Sequence, residues 1–401
     1  VRSATQGVQL VAWLRKYGIK TSSVDKQSVA SMLAISQLHP VIRRVLELRQ
    51  TGAKSSTAKL DSMEYAAGED GRMRGLLVYH GAATGRWSGK LVQPQNFPRG
   101  TVPEPEWFVP LIESGDLDTI DLLEPPMAVL SSTLRGAMVA SPGHRFLAAD
   151  FAAIEARVVA WLAGEEVLLE SYRDGIDVYK QLASRIYGVG IDEVSSKQRF
   201  VGKTAILGLG FQMGAKRFRE TCLAAGIAID ELQADDVVNV YRTSNPMIKR
   251  LWGAMEVGMR DALAFPRIRK QHKDGKLGFS YDGERFLRVH LPSGRMLYYI
   301  DPMSKEVETP WGEKRAATEV KYVDEVTRQL LPHTLYGGLI TENVVQAVAR
   351  DIMAAAMLRL EAAGYPVVLT VHDEVVCERP IGEGSLSEFL ELMRQVPEWA
   401  T

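Results

Sequence analysis

Four chemically distinct side chains recur at every fourth position in residues 198–214, which read QRFVGKTAILGLGFQMG. If this segment is a helix, Arg199, Lys203, Leu207 and Phe211 lie along one stripe of its surface. The stripe offers two cations, an aliphatic group and an aromatic ring, an order that suits an anion attached to a flat group. An amphipathic surface helix is the alternative, but each of the three interior glycines, Gly202, Gly208 and Gly210, costs a helix about 1 kcal/mol relative to alanine. The glycines predict that another group approaches the helix backbone closely.

Two aspartates could supply metal chemistry, because each lies next to an apolar run that is typical of a buried strand. One short run predicts a strand that ends at Asp150 and leads into a helix. Residues 365–378 predict a hairpin whose tip carries Asp373 between His372 and Glu374. Phosphoryl transfer uses two divalent ions about 3.5–4 Å apart, and Mg²⁺ needs few protein ligands beyond one or two carboxylates. Taken singly, an Asp at a strand end is more often a turn or cap residue.

The composition narrows the class of chemistry without identifying it. The chain has 401 residues, of which 46% are hydrophobic, and a formal net charge of −1. Residues 197–219 contain six basic residues and no acidic one, a local excess that could neutralise phosphates. Cys222 and Cys377 give neither a disulfide framework nor metal-ligand spacing, which favours a reducing cytoplasm. The sequence contains no phosphate-binding loop, zinc motif or apolar stretch long enough to span a membrane.

The order of these motifs along the chain resembles that of family A DNA polymerases, the DNA polymerase I-like enzymes. The Asp after an apolar strand with Ile-Glu four residues on, the Arg/Lys helix and the Val-His-Asp-Glu hairpin follow the family's order. HGAATGRWSG from residue 80, PQNFP at 94–98 and ENVVQAVARDIM at 342–353 resemble further family segments. The amino-acid sequences of the segments TGRWSG and TENVVQAVARD resemble those of bacteriophage and prophage polymerases. The resemblance predicts a template-directed DNA polymerase of phage type.

The resemblance implies how the metal and the triphosphate are held. Asp150, Asp373 and the backbone carbonyl of Phe151 would bind two Mg²⁺ ions, for which Mn²⁺ could substitute. Arg199 and Lys203 would grip the triphosphate, and Lys203 would donate a proton to the leaving pyrophosphate. Asp150, Asp373 and Lys203 are therefore the expected catalytic residues.

Further residues would surround the nucleotide. Phe211 would stack near the template base, and Glu155 would lie under the sugar and exclude a 2′-hydroxyl. Tyr179 stands where many cellular members carry a His near the triphosphate, and Leu207 stands where the family usually has Phe or Tyr. Glu374 would position the metal site without ligating it.

The same resemblance implies a set of contacts to primer-template DNA. These contacts would come from Arg86, Gln95, Asn96, Gln346 and His372. A Gln or Arg in the minor groove checks pair geometry without reading sequence, since minor-groove acceptors are nearly the same for every base pair. Composition alone would favour a Gly-rich turn and a Pro-bounded loop for residues 80–98. Glu342 replaces an Asn of cellular members and is given no role.

The implied fold is α+β, the right-hand polymerase fold, with an antiparallel-sheet palm, mostly helical fingers inserted in the palm and a partial helical thumb. The strands that carry Asp150 and Asp373 would be neighbours in one sheet. Residues 1–80 are expected to form the partial thumb and its connection, 81–165 the first part of the palm, 166–335 the fingers and 336–401 the second part of the palm. Residues 286–302 predict a β-hairpin that turns at Pro-Ser-Gly. The chain is expected to be a polymerase-domain fragment that lacks the upstream exonuclease and the final palm strand.

The expected partners are primer-template DNA and deoxynucleoside triphosphates (dNTPs), with other phage replisome proteins as further candidates. The expected location is the cytoplasm of a bacterial host, with no membrane involved. Two other classes of protein stay open. A metal-dependent nuclease would also use paired carboxylates but gives no reason for the Arg/Lys helix with glycines. A non-catalytic primer-template clamp would fit if the fragment has lost activity.

Overall fold

The computed structural model describes residues 6–33, 35, 37–52, 56–308, 312–324 and 327–401. The chain divides into two compact units, of which the first comprises Val1–Val78 and Ser88–Pro142 and the second comprises Tyr79–Trp87 and Gly143–Thr401. The domains predicted at 1–80 and 166–335 both include residues outside the described ranges, and the four-part division stays a prediction. Within the described ranges, no helix is long and apolar enough to cross a membrane.

The first unit is built mainly from helices, in keeping with the helical pattern of its N-terminal sequence. Its helices are α1 (Gly7–Lys16), α2 (Lys26–Leu33), α3 (Pro40–Gly52), α4 (Ser56–Ala66), α5 (Val109–Ser114), α6 (Leu117–Leu123) and α7 (Pro126–Thr133). A short antiparallel ribbon is formed by β1 (Leu77–Val78) and β2 (Ser88–Gly89). Leu10, Leu14 and Leu46 are fully buried in the apolar cluster that joins α1, α2 and α3. Burial of one apolar stripe from each helix holds these three helices together.

The second unit continues with strand β3 (His144–Asp150) and a run of helices. These helices are α8 (Ile154–Ala163), α9 (Glu166–Arg173), α10 (Val178–Tyr187), α11 (Ser196–Leu209), α12 (Ala215–Ala224), α13 (Glu231–Ser244) and α14 (Pro246–Ala264). Asp177, Ser195 and Asp230 begin α10, α11 and α13 with side chains that accept backbone N–H groups of the first turn. Their inward faces share one large apolar core.

A six-stranded antiparallel sheet follows the helices. Its strands, in spatial order, are β4 (Lys270–Gln271), β5 (Gly278–Tyr281), β6 (Phe286–His290), β7 (Met296–Glu308), β8 (Lys314–Val323) and β9 (Leu330–Leu335). The hairpin of β6 and β7 confirms the prediction for residues 286–302, where Leu287 and Val289 alternate with less buried neighbours. The sequence did not predict the other four strands, because β4 and β5 are short, and both ends of β8 and much of β9 are exposed.

The last part of the unit brings distant segments of the chain into one sheet. Its elements are α15 (Gly337–Ala362), β10 (Val367–Val371), β11 (Glu374–Pro380) and α16 (Leu386–Arg394). Strands β10, β11 and β3 form a three-stranded antiparallel sheet in that order, which confirms the predicted pairing of the two acidic motifs. Leu147, Val375 and Phe389 are buried in the apolar cluster beneath it. The described chain therefore has the predicted α+β architecture.

Candidate active site

The two predicted metal-binding aspartates meet at one end of the three-stranded sheet. Asp150 is the last residue of β3, opposite Glu374 in the sheet register, and Asp373 lies in the turn between β10 and β11. The Phe151 N–H donates to the Asp373 carbonyl oxygen at 3.2 Å, which ties the strand end to the turn. Burial raises the pKa of Asp150, and the Asp373 carboxyl, which lies within hydrogen-bonding reach, raises it further. A cation would stabilise such a pair of like charges.

The backbone adopts uncommon conformations beside both aspartates. His372 has a φ of 57°, and Ala153, the N-cap of α8, has a φ of 53°. A residue other than glycine in this left-handed region costs about 1–2 kcal/mol. Such conformations concentrate at functional sites, where the surrounding structure holds them. The geometry of the two turns is therefore consistent with a site that fixes the two carboxyl groups.

Helix α11 carries three of the four residues in the predicted stripe. Arg199, Lys203 and Leu207 lie within it, whereas the helix ends two residues before Phe211. The prediction that Phe211 continues the helical stripe is wrong, because the chain turns there and the following residue, Gln212, has a φ of 66°. The stacking role predicted for Phe211 stays a prediction, now from a turn rather than from the helix.

The two cations of α11 have different surroundings. Arg199 Nε donates to the Asp177 carboxylate at 2.7 Å, and its guanidinium lies 5.3 Å from the centroid of the Tyr179 ring. Burial alone would raise the pKa of Asp177, but the Arg199 guanidinium and backbone N–H groups lower it overall. Lys203 is half-buried and, across the described part of the chain, forms no ion pair or hydrogen bond. With Leu207 39% exposed one turn on, this face of α11 is open to an anionic ligand.

The first of the three interior glycines of the segment, Gly202, has a packing explanation. A Cβ atom on Gly202 would overlap the Tyr179 carbonyl oxygen and would lie 3.1 Å from the carbonyl carbon and 3.2 Å from the Ala183 Cβ. The prediction that another group approaches this backbone closely is confirmed, and the group is helix α10. Gly202 therefore lets α10 and α11 pack closely enough for Asp177 and Tyr179 to reach Arg199.

A second polar cluster joins α8, α15 and the segment Tyr79–Trp87. Arg86 forms an ion pair with Glu155, and Gln346 Nε2 donates to Glu342 Oε1 at 3.3 Å. Burial raises the pKa of Glu342, and Glu155 raises it further while Arg86 opposes the effect. The cluster thus contains two predicted DNA contacts, Arg86 and Gln346, and the predicted sugar-excluding residue, Glu155. Glu342, to which the sequence gave no role, belongs to the same cluster.

Two other predicted DNA contacts, Gln95 and Asn96, belong to the first unit. They lie in the short 3₁₀ helix Pro94–Asn96, which begins after Gln93 with a φ of 50°. The Asn96 amide Nδ2 donates to Gln93 Oε1 at 2.8 Å. The role of Gln95 and Asn96 in DNA binding stays a prediction.

The aspartate pair borders two recesses. His372 and Asp373 line a small cavity together with Arg86. Asp150 and Phe151 line a groove of about 640 Å³, a size typical of ligand-binding pockets. The groove therefore makes the Asp150 side of the pair accessible to a ligand.

The sequence analysis missed the charged groups that support these clusters. Asp351 is buried on α15 among Arg295 and Arg350, and Asp177 holds Arg199. One signal was available, because the charged pair at 350–351 interrupts a long apolar run within a helical pattern. The partner Arg295 gave no such signal, since it lies 56 residues from Asp351 along the chain.

Comparison with known proteins adds information that the geometry alone does not contain. The profile of DNA polymerase family A matches residues 8–263. The chain is 36% identical over 398 residues to a DNA polymerase of Bacillus phage SP02, covering 98% of this chain and 60% of that protein. It is 26% identical over 389 residues to a thermostable DNA polymerase I of Thermus filiformis, covering 94% of this chain and 36% of that protein.

A solved structure shares the fold. The POL domain of Pol1 from M. smegmatis, in complex with DNA primer-template and dNTP, matches with a TM-score of 0.62 at 20% identity. The match covers 98% of this chain and 57% of that chain. The chain therefore spans about 60% of the length of the phage relative and of this structure.

Proposed function

The chain belongs to DNA polymerase family A, and we propose that it extends a primer 3′-hydroxyl with dNTPs as directed by a DNA template. The observation that carries the proposal is the pairing of Asp150 and Asp373 at the end of β3 and the β10–β11 turn. The same compact unit holds α11, whose Lys203 has no ion-pair partner among the described residues. Paired carboxylates with a phosphate-binding helix suit nucleotidyl transfer.

Divalent metal fits the donor groups at this site. Family A DNA polymerases are generally divalent-metal enzymes, and we infer that Asp150, Asp373 and the Phe151 carbonyl hold two Mg²⁺ ions or Mn²⁺ in their place. No group of three or more His, Cys, Asp or Glu side chains in the described ranges is arranged to hold a metal ion. Mg²⁺ does not require one, because it binds through one or two carboxylates plus substrate phosphates and water. When bound, such ions activate the attacking hydroxyl and neutralise phosphate charge.

The side chains of α11 would act on the nucleotide. The 3′-hydroxyl attacks the α-phosphate in line, and pyrophosphate leaves. Lys203 and Arg199 bind the leaving phosphates, and Lys203 donates a proton to them. Because Arg199 already pairs with Asp177, phosphate binding must share or replace that ion pair. Leu207 would lie beside the sugar. Its aliphatic side chain has no hydroxyl there, unlike the Tyr that some family members carry at this position.

Other residues would shape the nucleotide and its template. Glu155 would exclude a 2′-hydroxyl, Tyr179 would stand near the triphosphate, and Phe211 would stack near the template base. Tyr179 is supported in this role by its ring contact with Arg199. The sugar role of Glu155 is supported by its place at the start of α8, which directly follows the metal-site turn.

Primer-template DNA would bind across the cluster around Arg86. The proposed contacts are Arg86, Gln95, Asn96, Gln346 and His372, with Glu374 as a positioning residue. In the minor groove the acceptors are nearly the same for all pairs, so donors such as Arg86 and Gln346 would check the primer terminus without reading its sequence.

The domain assignment belongs to the same proposal. Residues 1–80 would form a partial thumb, 81–165 and 336–401 the two parts of the palm, and 166–335 the fingers. We propose other phage replisome proteins as further partners. The proposed location is the cytoplasm of a bacterial host.

A single assay separates the candidate functions. The protein is incubated with Mg²⁺, a labelled primer on a DNA template and one dNTP at a time. A polymerase lengthens the primer by one nucleotide only with the complementary dNTP, and a chelator stops the reaction. Shortening of the primer would indicate a nuclease. A gel shift without any change in primer length would indicate a clamp and would contradict the proposed activity.

A further inference from the structure

A buried carboxylate on α15 organises two arginines from distant parts of the second unit. Asp351 is 7% exposed, and both of its oxygens accept hydrogen bonds from Arg295 Nε, at 2.9 and 3.1 Å. The Ser293 hydroxyl donates to the same carboxylate at 2.5 Å, and Arg350 Nη1 donates to it at 3.2 Å. Arg295 and Ser293 lie in the β6–β7 turn, so Asp351 ties that hairpin to α15.

Both arginines donate onward to backbone carbonyls of one turn. Arg295 Nη2 donates to the Thr84 carbonyl at 2.9 Å, and Arg350 Nε donates to the Gly85 carbonyl at 2.9 Å. The turn itself closes when the Ala82 N–H donates to the carbonyl of Arg86 at 3.1 Å. Arg86 is therefore the residue that directly follows the two residues, Thr84 and Gly85, whose carbonyl groups the arginines bind.

The turn is also fixed by shape. Gly85 has a φ of 88°, and a Cβ atom there would lie 2.6 Å from Arg295 Nη1. The Arg350 guanidinium lies 4.5 Å from the Trp87 ring centroid and 5.3 Å from that of Tyr79. The aromatic rings on both sides of the turn thus lie against Arg350.

A buried ion cluster of this kind is a poor source of stability. Burial of three charges carries a desolvation penalty of several kcal/mol per ion, which good geometry only offsets. Such clusters are better explained by the conformation that they impose on the segments they join than by a gain in stability. Here the conformation imposed is that of the turn that carries Arg86, whose guanidinium reaches Glu155.

We propose that Asp351, Arg295 and Arg350 are positioning residues that fix Arg86 for its contact with the primer terminus. The proposal rests on the proposed polymerase function and deepens it. It gives the β6–β7 hairpin a role, because Arg295 supports a turn that lies 211 residues away along the chain. None of the three positioning residues needs to touch the substrate.

The test is a double-mutant cycle between Asp351→Asn and Arg86→Ala. Single-turnover extension and primer-template affinity are measured for wild type, both single variants and the double variant. Misplacement of a positioning group by about 1 Å can cost about a hundredfold in rate, so we expect Asp351→Asn to slow extension by about tenfold to a hundredfold. The dNTP concentration for half-maximal rate should stay unchanged. The double variant should be no slower than Arg86→Ala alone, because the two residues act through one contact.

A control ion pair comes from the same six-stranded sheet. Asp282 pairs with Arg288 at 2.9 Å and lies in the turn before β6, and its change to Asn removes a more exposed ion pair of that sheet. Asp282→Asn should have additive effects with Arg86→Ala. If Asp351→Asn is also additive with Arg86→Ala, or if it raises the half-saturating dNTP concentration, the positioning role is wrong.

Milder variants keep the test decisive if Asp351→Asn does not fold. Ser293→Ala removes one of the hydrogen bonds to Asp351, and Arg295→Lys keeps the charge but loses the paired donors. Both should show the same lack of additivity with Arg86→Ala. If wild type binds primer-template but never extends it, the proposed function fails, and the cycle in DNA affinity still decides the positioning proposal. Additive losses of affinity would then overturn it.

Discussion

Replacing Gly202 by alanine should destabilise the protein, although alanine is the better helix former. The gain in helix propensity is about 1 kcal/mol. Against it, the new Cβ would overlap the Tyr179 carbonyl oxygen and press on its carbonyl carbon at 3.1 Å. Overpacking costs about 1–3 kcal/mol, and the upper end applies because the obstacle is helix backbone that no rotamer change can relieve. The expected net loss is about 2 kcal/mol.

Gly253→Ala is the matched control. Gly253 lies in the interior of α14, is exposed, and would have nothing within 4 Å of an added Cβ. It should gain about 1 kcal/mol, so the two variants should differ by about 3 kcal/mol in the free energy of unfolding. Urea unfolding under identical conditions measures the difference. Stabilisation of Gly202→Ala to the same extent as Gly253→Ala would refute the close packing of α10 on α11.

The same pair of variants has a functional readout. Separation of α10 from α11 would move Asp177 and Tyr179 away from Arg199. Gly202→Ala should therefore raise the dNTP concentration needed for half-maximal extension, whereas Gly253→Ala should not.

Three further predictions concern the site. Lys203→Ala should raise the half-saturating dNTP concentration and slow single-turnover extension while leaving primer-template affinity unchanged; a loss of affinity alone would place Lys203 on the DNA instead. Glu155→Gly should increase ribonucleotide incorporation, whereas Arg86→Ala, which breaks the same ion pair without opening the space, should not. The pKa of Glu342 is raised by burial and by Glu155, so the stability that this group contributes is present at low pH and is lost as pH rises through its raised pKa. Glu342→Gln should therefore become progressively more stable relative to wild type as pH rises above the ordinary value of 4.5, and parallel unfolding curves of the two proteins across pH would contradict this.

The sequence predicted the features that depend on local patterns. The strand ending at Asp150, the hairpin carrying Asp373 and the helix carrying Lys203 are each encoded in a short window of residues. The end of α11 also had a local signal, because its C-cap residue is Gly210 and glycine is typical of a helix end. The contact of α15 with the turn that follows had none: a Cβ on Gly338 of α15 would lie 2.7 Å from the Phe211 carbonyl carbon. Backbone contacts of this kind leave little trace in a short sequence window.

Support from distant residues was also beyond the reach of local patterns. The Arg199 partner, Asp177, lies 22 residues away and is typical of an ordinary helix cap in the sequence. Arg295 follows a Pro-Ser-Gly turn, which predicted a hairpin and nothing about its guanidinium. Only the fold reveals that Arg295 reaches Asp351 and the Thr84 carbonyl.

The central claim is that Asp150 and Asp373 together form the centre at which primer and nucleotide react. It is tested most directly by measuring single-nucleotide extension and primer-template affinity side by side in Asp150→Asn, Asp373→Asn and the control Asp282→Asn. Each Asn keeps the shape of the side chain and removes its charge, and neither aspartate contributes positive charge to DNA binding. We expect both site variants to bind primer-template like wild type and to give no product above that of a reaction without dNTP, while the control extends normally. Extension that persists in either Asp150→Asn or Asp373→Asn would contradict the assignment of the active site.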